Sequence, residues 1–275
     1  MKLGAALMQA QAALAATSDS PRFDAELLMG HALGLSRAQL FSRPHEDIAA
    51  TDVARFDALV QRRRRGEPVA YLTGTQGFWT LDLEVAPAVL VPRPETELLV
   101  QWALECVPDD APVRIADLGT GSGAIALALA SERPQARVFA SDVSPEALAV
   151  ARRNAGRANL RVSFREGSWW QPFAGEAFAL VVANPPYIAR GDAHLDALRF
   201  EPMLALTDGA DGLDALREII HGAPAHLARG GRLLVEHGFD QGEAVRVLFA
   251  AAGFGDIATR RDLEGRERAT GGSQP

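Results

Sequence analysis

Hydrophobic residues in the first part of the chain recur at helical spacing. Along the N-terminal stretch, every third or fourth position is apolar: Leu3, Leu7, Ala10 and Leu14. This spacing predicts an amphipathic first helix. Ser20 and Pro21 supply an N-cap and an N1 proline for a second helix, which Gly34 can end. A third helix is predicted from Thr51 to Gly66, and no strand pattern interrupts this region.

A linker with strand character follows the helices. It begins near Gly74, and Leu81, Leu83 and Val85 alternate with other residues. Alternation of this kind predicts the strands of a β-hairpin. We therefore predict a helical N-terminal domain, a β-hairpin linker and a larger C-terminal domain, over residues 1–73, 74–94 and 95–275.

From Val113 onward, short apolar runs alternate with helical patterns. The predicted strands are Val113–Leu118, Arg137–Asp142, Arg161–Arg165, Ala179–Ala183 and Arg232–Glu236. Ser144 and Pro145 begin one of the intervening helices, and another is predicted over Leu213–Leu227. Strands that alternate with helices indicate an α/β fold, with a parallel sheet covered on both faces. The segment Thr270–Pro275 is expected to be a loose tail.

Composition limits the classes of function that are possible. The chain has 275 residues, of which 48% are hydrophobic and 23% charged, and its formal net charge is −7. This balance is typical of a soluble globular protein and argues against a broad surface for duplex DNA. The single cysteine, Cys106, excludes an intrachain disulfide and a multi-thiolate metal site. We expect no metal centre and no direct binding of nucleic acid.

The N-terminal pattern does not fit an export signal. Gln9 and Gln11 interrupt the stretch that would be apolar in a signal peptide, and Lys2 is the only positive side chain before it. Apolar runs such as Ala124–Ala130 are far shorter than the roughly 20 residues of a membrane-spanning helix. We therefore expect no membrane association and a cytoplasmic location.

A glycine-rich turn lies between the first strand of the predicted sheet and the next helix. Its residues are Asp117, Leu118, Gly119, Thr120, Gly121, Ser122 and Gly123. Glycines in such a turn let the backbone approach a ligand closely, and parallel sheets bind ligands beyond the carboxyl ends of their strands. Asp142 ends the next strand, where a carboxylate can accept hydrogen bonds from ribose hydroxyls. These residues predict a nucleotide-containing cofactor.

The turn alone does not identify that cofactor. The pattern Gly119-x-Gly121-x-x-Ala124 also satisfies the fingerprint of dinucleotide-binding proteins, so NAD fits as well. Two features favour S-adenosylmethionine. They are the spacing Gly119-x-Gly121-x-Gly123 after an acidic residue, and the segment that follows the fourth strand.

That segment is Asn184-Pro185-Pro186-Tyr187. A planar amino group, as in a carboxamide or adenine, is a weak nucleophile with two N–H donors. The side-chain oxygen of Asn184 and the backbone carbonyl of Pro185 can accept one of them each, which would orient the nitrogen toward an electrophilic methyl group. The prolines stiffen the loop, and Tyr187 can pack on the flat face of the target group. The segment predicts methyl transfer to a planar amino group.

With these residues in view, the chain resembles the PrmC/HemK family of protein-(glutamine-N5) methyltransferases. The matching segments span nearly the whole chain: Arg22–Leu28, Arg63–Pro68, Pro92–Glu97, Asp117–Ala126, Asn184–Ile188, Glu201-Pro202, Asp211–Leu213 and Glu236–Gly238. The resemblance implies a seven-stranded, S-adenosylmethionine-dependent, Rossmann-like methyltransferase sheet with a small N-terminal helical domain for substrate recognition. It also implies methylation of the side-chain amide nitrogen of glutamine in the Gly-Gly-Gln motif of class I peptide chain release factors, which would be the protein partner.

The resemblance also assigns roles to the candidate site residues. Gly119–Gly123 would line the methionine part of S-adenosylmethionine, and Asp142 would bind its ribose. Trp169 would flank the adenine, and Asn184–Tyr187 would hold the substrate carboxamide, with Asn184 also contacting the cofactor. The family commonly has an acidic residue just before that aromatic, where this chain has Ser168. Glu166 is a possible substitute for it.

Several alternatives stay open at this stage. Asn-Pro-Pro-Tyr also occurs in enzymes that methylate adenine N6 of DNA or guanine N2 of rRNA, and a relative methylates a glutamine of a ribosomal protein. Pro94–Glu97 favours release factors over the ribosomal protein. Two further alternatives belong to other functional classes: a nicotinamide oxidoreductase and a binding protein without catalytic activity. Binding of S-adenosylmethionine compared with NAD would test the first, and a turnover assay would test the second.

Three further groups have simpler interpretations. Arg62–Arg65 is interpreted as a solvated helix end that favours the helix dipole, with a docking patch for the partner as the alternative. Glu236 and His237 are interpreted as packing and hydrogen-bonding residues rather than catalytic ones. Trp170 is interpreted as a core aromatic residue.

Overall fold

The N-terminal part of the chain folds into helices, of which one has its predicted caps, Ser20 and Gly34, whereas the helix predicted from Thr51 to Gly66 runs from Ala50 to Arg64. The computed structural model describes residues 1–275, which form two compact units, Met1–Thr75 and Gln76–Pro275. The first unit contains five helices: α1 (Leu3–Leu14), α2 (Pro21–Leu33), α3 (Arg37–Ser42), α4 (Ala50–Arg64) and α5 (Val69–Thr73). Gly34 ends α2 with a left-handed φ of 66°. The short helix α3, which the apolar pattern did not predict, begins with a capping box between Ser36 and Gln39.

Ion pairs supplement the apolar core of this unit. The guanidinium of Arg63 donates to the buried carboxylate of Asp24 at 2.7 Å, and Arg62 pairs with Glu67. Since the Arg63 side chain is only 18% exposed, the interpretation of Arg62–Arg65 as a solvated helix end is wrong for Arg63. A buried carboxylate requires such a partner, because an unpaired charge in the interior is costly.

The second unit continues from a two-stranded hairpin into a large sheet. Its strands are β1 (Thr75–Phe78), which begins at the boundary of the units, β2 (Leu81–Glu84), β3 (Arg114–Leu118), β4 (Arg137–Asp142), β5 (Val162–Glu166), β6 (Phe178–Ala183), β7 (Leu227–Glu236), β8 (Gly255–Arg261) and β9 (Glu267–Ser273). Its helices are α6 (Glu97–Cys106), α7 (Ala124–Glu132), α8 (Pro145–Ala158), α9 (His194–Ala197), α10 (Asp214–Gly222) and α11 (Gly242–Ala251). The seven-stranded sheet has the order β5-β4-β3-β6-β7-β9-β8.

Two apolar clusters cover the two faces of the sheet. Strand residues alternate between them: Ile115, Leu180 and Val182 lie in one cluster with residues of α6 and α7, whereas Ala116, Val181 and Ala183 lie in the other with residues of α10 and α11. This is the arrangement expected of parallel strands buried on both sides. None of the helices combines the length and the hydrophobicity needed to cross a bilayer.

Two sequence-based expectations near the C-terminus are wrong. Thr270–Ser273 belongs to β9, which pairs antiparallel with both β7 and β8, so it is no loose tail. Its small residues carry no apolar alternation, which hides the strand in the sequence. The helix predicted over Leu213–Leu227 ends earlier, because α10 stops at Gly222 and Leu227 already begins β7.

The packing around β9 gives a stability prediction. A Cβ on Gly271 would lie 2.4 Å from the Leu234 side chain and 3.0 Å from the Leu233 carbonyl oxygen. Gly271→Ala should therefore lower the free energy of unfolding by about 1–3 kcal/mol, as overpacking of a core does. Urea denaturation measures the change. Gly156→Ala in α8, where a Cβ meets nothing within 4 Å, is the matched control and should leave stability unchanged or raise it. Equal effects of the two substitutions would contradict the packing of β9.

Candidate active site

A cavity of about 460 Å³ lies at the carboxyl ends of β3, β4 and β6. Its volume falls within the range of small-molecule and cofactor sites. Eight of the predicted site residues line it: Gly119, Thr120, Gly121, Ser122, Asp142, Trp169, Asn184 and Pro186. The other three, Gly123, Pro185 and Tyr187, lie directly beside them in the chain but do not line the cavity. The glycine turn and the Asn-Pro-Pro-Tyr segment thus share one crevice.

The conformation of the turn requires its glycines. Gly119, Gly121 and Gly123 have φ values of 72°, 57° and 87°, in the left-handed region that side chains disfavour. A Cβ on Gly119 would also lie 3.0 Å from the ring of Trp169. On the inner side, the Ser122 carbonyl accepts a hydrogen bond from the buried Asn154 side chain at 2.9 Å. The buried Asn154 side chain therefore fixes the turn on the interior side, while the backbone of the turn borders the cavity.

Asp142 is tied to the same turn by its carboxylate. Its Oδ2 accepts the Gly121 N–H at 2.8 Å, and its Oδ1 accepts the Ser144 N–H at 2.9 Å. Burial raises the pKa of Asp142, and these backbone donors oppose that rise. Because a carboxylate offers about four lone-pair sites, Asp142 can still accept a hydrogen bond from a ligand.

Apolar and aromatic surface completes this end of the cavity. Trp169 borders the cavity together with Ser168, whereas Glu166 is exposed and does not line it. Trp170 is 9% exposed and packs in the core, where its ring stacks on His226. Val143 also lines the cavity although its side chain is 51% exposed. The apolar pattern gave no reason to single out Val143, because it continues an ordinary strand.

The side chain of Asn184 has a defined orientation. Its Nδ2 donates to Thr96 Oγ1 at 3.1 Å, and its Oδ1 makes no hydrogen bond to the protein. The adjacent Pro185 is buried, and its carbonyl accepts no backbone hydrogen bond. Asn184, which lines the cavity, therefore has an unused acceptor, and the Pro185 carbonyl on the next residue is also unpaired.

Tyr187 is anchored at both ends. Its hydroxyl donates to Glu236 Oε1 at 3.2 Å, and burial raises the pKa of the phenol. Its carbonyl accepts the Gln241 side-chain amide at 3.0 Å and lies so close to Gly212 that a Cβ there would clash at 2.4 Å. These contacts explain why a glycine follows Asp211 in this chain.

Arg93, Thr96 and Glu201 belong to the site, and sequence reasoning assigned them no role. The carboxylate of Glu201 is buried, accepts the Val91 N–H at 3.0 Å and pairs with Arg93, which lines the cavity. Thr96 is 4% exposed and also lines it. All three lie in segments that carried the family resemblance, which was the one available signal for them.

The charges around the cavity are mostly negative. Four carboxylates line it, together with a single arginine: Asp142, Asp208, Asp214, Glu218 and Arg93. An acidic lining favours a cationic ligand and disfavours an anionic pyrophosphate, because the potential near the lining follows the sum of its charges. No cluster of metal-ligating side chains is present in the structure.

Two fully buried carboxyls lie next to the site. Burial raises the pKa of Asp117 to about 7, although hydrogen bonds from Thr120 and Ala126 act in the opposite direction. Burial likewise raises the pKa of Glu236 to about 7. Each has one oxygen without a hydrogen-bond partner, Asp117 Oδ1 and Glu236 Oε2. Both groups therefore lower the stability of the folded chain when they are charged.

The pKa of Asp117 predicts a pH dependence of stability. Folding raises the pKa of this carboxyl, so the folded chain keeps a proton that the unfolded chain has lost. The contribution of Asp117 to stability therefore falls as the pH rises from about 4 to about 7. Relative to Asp117→Asn, the wild-type chain should lose about 2–3 kcal/mol of unfolding free energy between about pH 5 and pH 7.5. Urea denaturation at both pH values measures this difference. If the difference in unfolding free energy between wild type and Asp117→Asn did not change with pH, Asp117 would not be a buried, protonated carboxyl.

Comparisons with known proteins agree with this architecture. Residues 5–74 match the family model of the PrmC N-terminal domain, and residues 95–201 match that of the methyltransferase small domain. The chain is similar to the solved structure of a methyltransferase from Pyrococcus furiosus, with a TM-score of 0.55 and 17% identity over 78% of this chain and 96% of that one. That likeness concerns the fold, and the predicted seven-stranded methyltransferase sheet is confirmed.

Curated relatives are much closer in sequence. The release factor glutamine methyltransferase of Xylella fastidiosa is 55% identical over 264 residues, which cover 95% of this chain and 96% of the relative. That of Burkholderia pseudomallei is 52% identical over 261 residues, or 92% of each chain. The resemblance drawn from the motifs is thereby confirmed, and the chain belongs to the release factor glutamine methyltransferase family.

Proposed function

We propose that this protein transfers a methyl group from S-adenosylmethionine to the side-chain amide nitrogen of the glutamine in the Gly-Gly-Gln motif of class I peptide chain release factors. The curated relatives carry the name release factor glutamine methyltransferase and match nearly the whole chain. The observation that carries the proposal is the position of Asn184. Asn184, whose Oδ1 makes no hydrogen bond to the protein, lines the cavity that the glycine turn and Asp142 also line.

The cavity residues fit S-adenosylmethionine in their chemistry. The free lone pairs of Asp142 can accept the ribose hydroxyls, and Trp169 and Val143 offer apolar surface to a planar base. The backbone of Gly119–Gly123 can border the methionine part. The acidic lining favours a sulfonium over the pyrophosphate of NAD. When bound, the cofactor supplies an electrophilic methyl group.

The protein contributes orientation rather than acid–base chemistry. Asn184 Oδ1 and the Pro185 carbonyl would accept the two hydrogens of the glutamine carboxamide, which turns the nitrogen toward the methyl group. Tyr187 would flank the carboxamide, with its ring fixed by the hydroxyl contact to Glu236. With the cofactor bound, a carbon–nitrogen bond would form as its carbon–sulfur bond breaks, and the extra proton on nitrogen would leave to water. No strong base is needed at neutral pH.

The proposal also assigns parts of the chain and a location. We place substrate recognition in the helical region, residues 1–73, and catalysis in residues 95–275, with the hairpin region 74–94 as the linker. Release factors act on the ribosome, so the enzyme would work in the cytoplasm. Methylation of a ribosomal-protein glutamine is the alternative that the same carboxamide geometry would allow.

Incubation of a class I release factor with enzyme and S-adenosylmethionine should add one methyl group to the Gly-Gly-Gln peptide, as detected by mass spectrometry. Asn184→Ala should lower turnover at least about 100-fold, because the carboxamide loses one of its two acceptors. Its affinity for S-adenosylmethionine should stay within about threefold of wild type. Retained turnover in this variant would refute the role of Asn184, and methylation of a ribosomal protein alone would refute the substrate.

Asp142→Ala should weaken S-adenosylmethionine binding about 10- to 100-fold, since it removes hydrogen bonds to a charged group and loosens the Gly121 backbone. Isothermal titration calorimetry measures the affinity. Glu243→Ala, at an exposed position of α11 outside the cavity, is the control and should bind normally. Tighter binding of NAD than of S-adenosylmethionine by the wild type would overturn the cofactor assignment.

A further inference from the structure

Arg93 is the only cationic side chain that lines the cavity, and the proposed reaction gives it no part. The other charged groups of the lining are four carboxylates: Asp142, Asp208, Asp214 and Glu218. These carboxylates repel any anionic group that enters the cavity, because like charges disfavour one another. An anionic part of a ligand therefore binds most favourably beside Arg93, where a positive charge compensates for that repulsion.

A buried carboxylate holds the guanidinium of Arg93 in place. The side chain of Glu201 is 2% exposed, and its Oε1 accepts a hydrogen bond from Nη2 of Arg93. Its Oε2 accepts the Val91 N–H at 3.0 Å. Arg93 also lies between Pro92 and Pro94, and its backbone is extended (φ −98°, ψ 144°), as a following proline requires. Arg93 is thus preorganised, so a ligand that binds to it immobilises little further.

Most of the hydrogen-bonding capacity of Arg93 is unused. A guanidinium has five N–H donors in one plane, and Arg93 donates only to Glu201 in the structure. Its side chain is 35% exposed and lines the cavity. The remaining donors can bind a carboxylate through two parallel hydrogen bonds, for which arginine is better suited than lysine. A role confined to pairing Glu201 would not require the guanidinium to line the cavity.

The proposed cofactor carries one group that matches Arg93. S-adenosylmethionine has two cationic groups, the sulfonium and the α-ammonium, and one anionic group, the α-carboxylate of its methionine part. Asp142, the proposed ribose acceptor, ends β4, whereas Asn184 follows β6 on the other side of β3. Arg93 lies on the Asn184 side, because its carbonyl accepts the N–H of Thr96, which contacts Asn184. A cofactor with its ribose on Asp142 would extend its methionine part toward this side.

We infer that Arg93, held by Glu201, binds the α-carboxylate of S-adenosylmethionine and thereby selects the intact amino-acid part of the cofactor. This rests on the proposed function, since it specifies how the proposed cofactor is recognised. Arg93 compensates for the repulsion between the α-carboxylate and the acidic lining, and the same lining favours the sulfonium and the α-ammonium. Glu201 does not touch the cofactor and is a positioning residue.

This contact determines which of two related compounds binds more tightly. Decarboxylated S-adenosylmethionine lacks the α-carboxylate and therefore carries one more unit of net positive charge. The acidic lining alone would favour the decarboxylated compound. A preference of the wild type for the intact cofactor therefore requires a specific contact with the α-carboxylate. Removal of Arg93 should abolish or reverse that preference.

Isothermal titration calorimetry of the full chain with each of the two compounds measures the preference without any turnover. The wild type should bind the intact cofactor at least about 10-fold more tightly, as a charged hydrogen-bonded pair provides. Arg93→Gln should lose at least that factor for the intact cofactor, while its affinity for the decarboxylated compound should stay the same or rise. Arg260→Gln is the matched control, because Arg260 is 32% exposed and pairs with Glu105 outside the cavity. Both affinities should stay at the wild-type values in this control.

Two results would overturn the proposal. One is a wild type that binds both compounds equally, and the other is an Arg93→Gln variant that loses affinity for both to the same extent. If the unpaired Glu201 carboxylate prevents Arg93→Gln from folding, the double variant Arg93→Gln/Glu201→Gln removes both charges and should show the same affinities as expected for Arg93→Gln. A wild type that binds neither compound would refute the proposed function, whereas lost selectivity with intact methylation would refute only the role of Arg93.

Discussion

Parallel pairing of β3 with β4 on one side and with β6 on the other is the constraint on which the site depends. It brings the carboxyl ends of three strands to one edge of the sheet, so the glycine turn after β3 lies between Asp142 and Asn184. The hydrogen bond from Gly121 to Asp142 ties two of these strand ends together. A shift in either register would separate the proposed cofactor contacts from the proposed carboxamide acceptors.

Around this edge the protein keeps buried carboxyls that do not help it fold. Asp117 and Glu236 each retain an unpaired oxygen and have a pKa raised by burial to about 7. Asp117 accepts the hydroxyl of Thr120, which lines the cavity, and Glu236 accepts the hydroxyl of Tyr187 in the Asn-Pro-Pro-Tyr segment. Destabilising buried groups of this kind are common at functional sites, where the orientation of a group that contacts the ligand matters more than a modest loss of stability.

Much of the fold and of the site could be predicted from the sequence, because glycine turns, prolines and apolar runs act locally. The strands up to β7 and the residues of the turn and of Asn184–Tyr187 carry such signals. The strand β9 does not, since its small residues are selected by the tight space beside Leu234. The contacts of Thr96 with Asn184 and of Arg63 with Asp24 join residues far apart in the chain, and no local pattern reveals such pairs.

The most direct test is a crystal structure of the enzyme with S-adenosylhomocysteine and a Gly-Gly-Gln peptide. We predict that the glutamine amide nitrogen lies within hydrogen-bond distance of both Asn184 Oδ1 and the Pro185 carbonyl, with Asn184 Nδ2 still directed at Thr96. A carboxamide bound elsewhere in the crevice, or held by only one of these two acceptors, would contradict it.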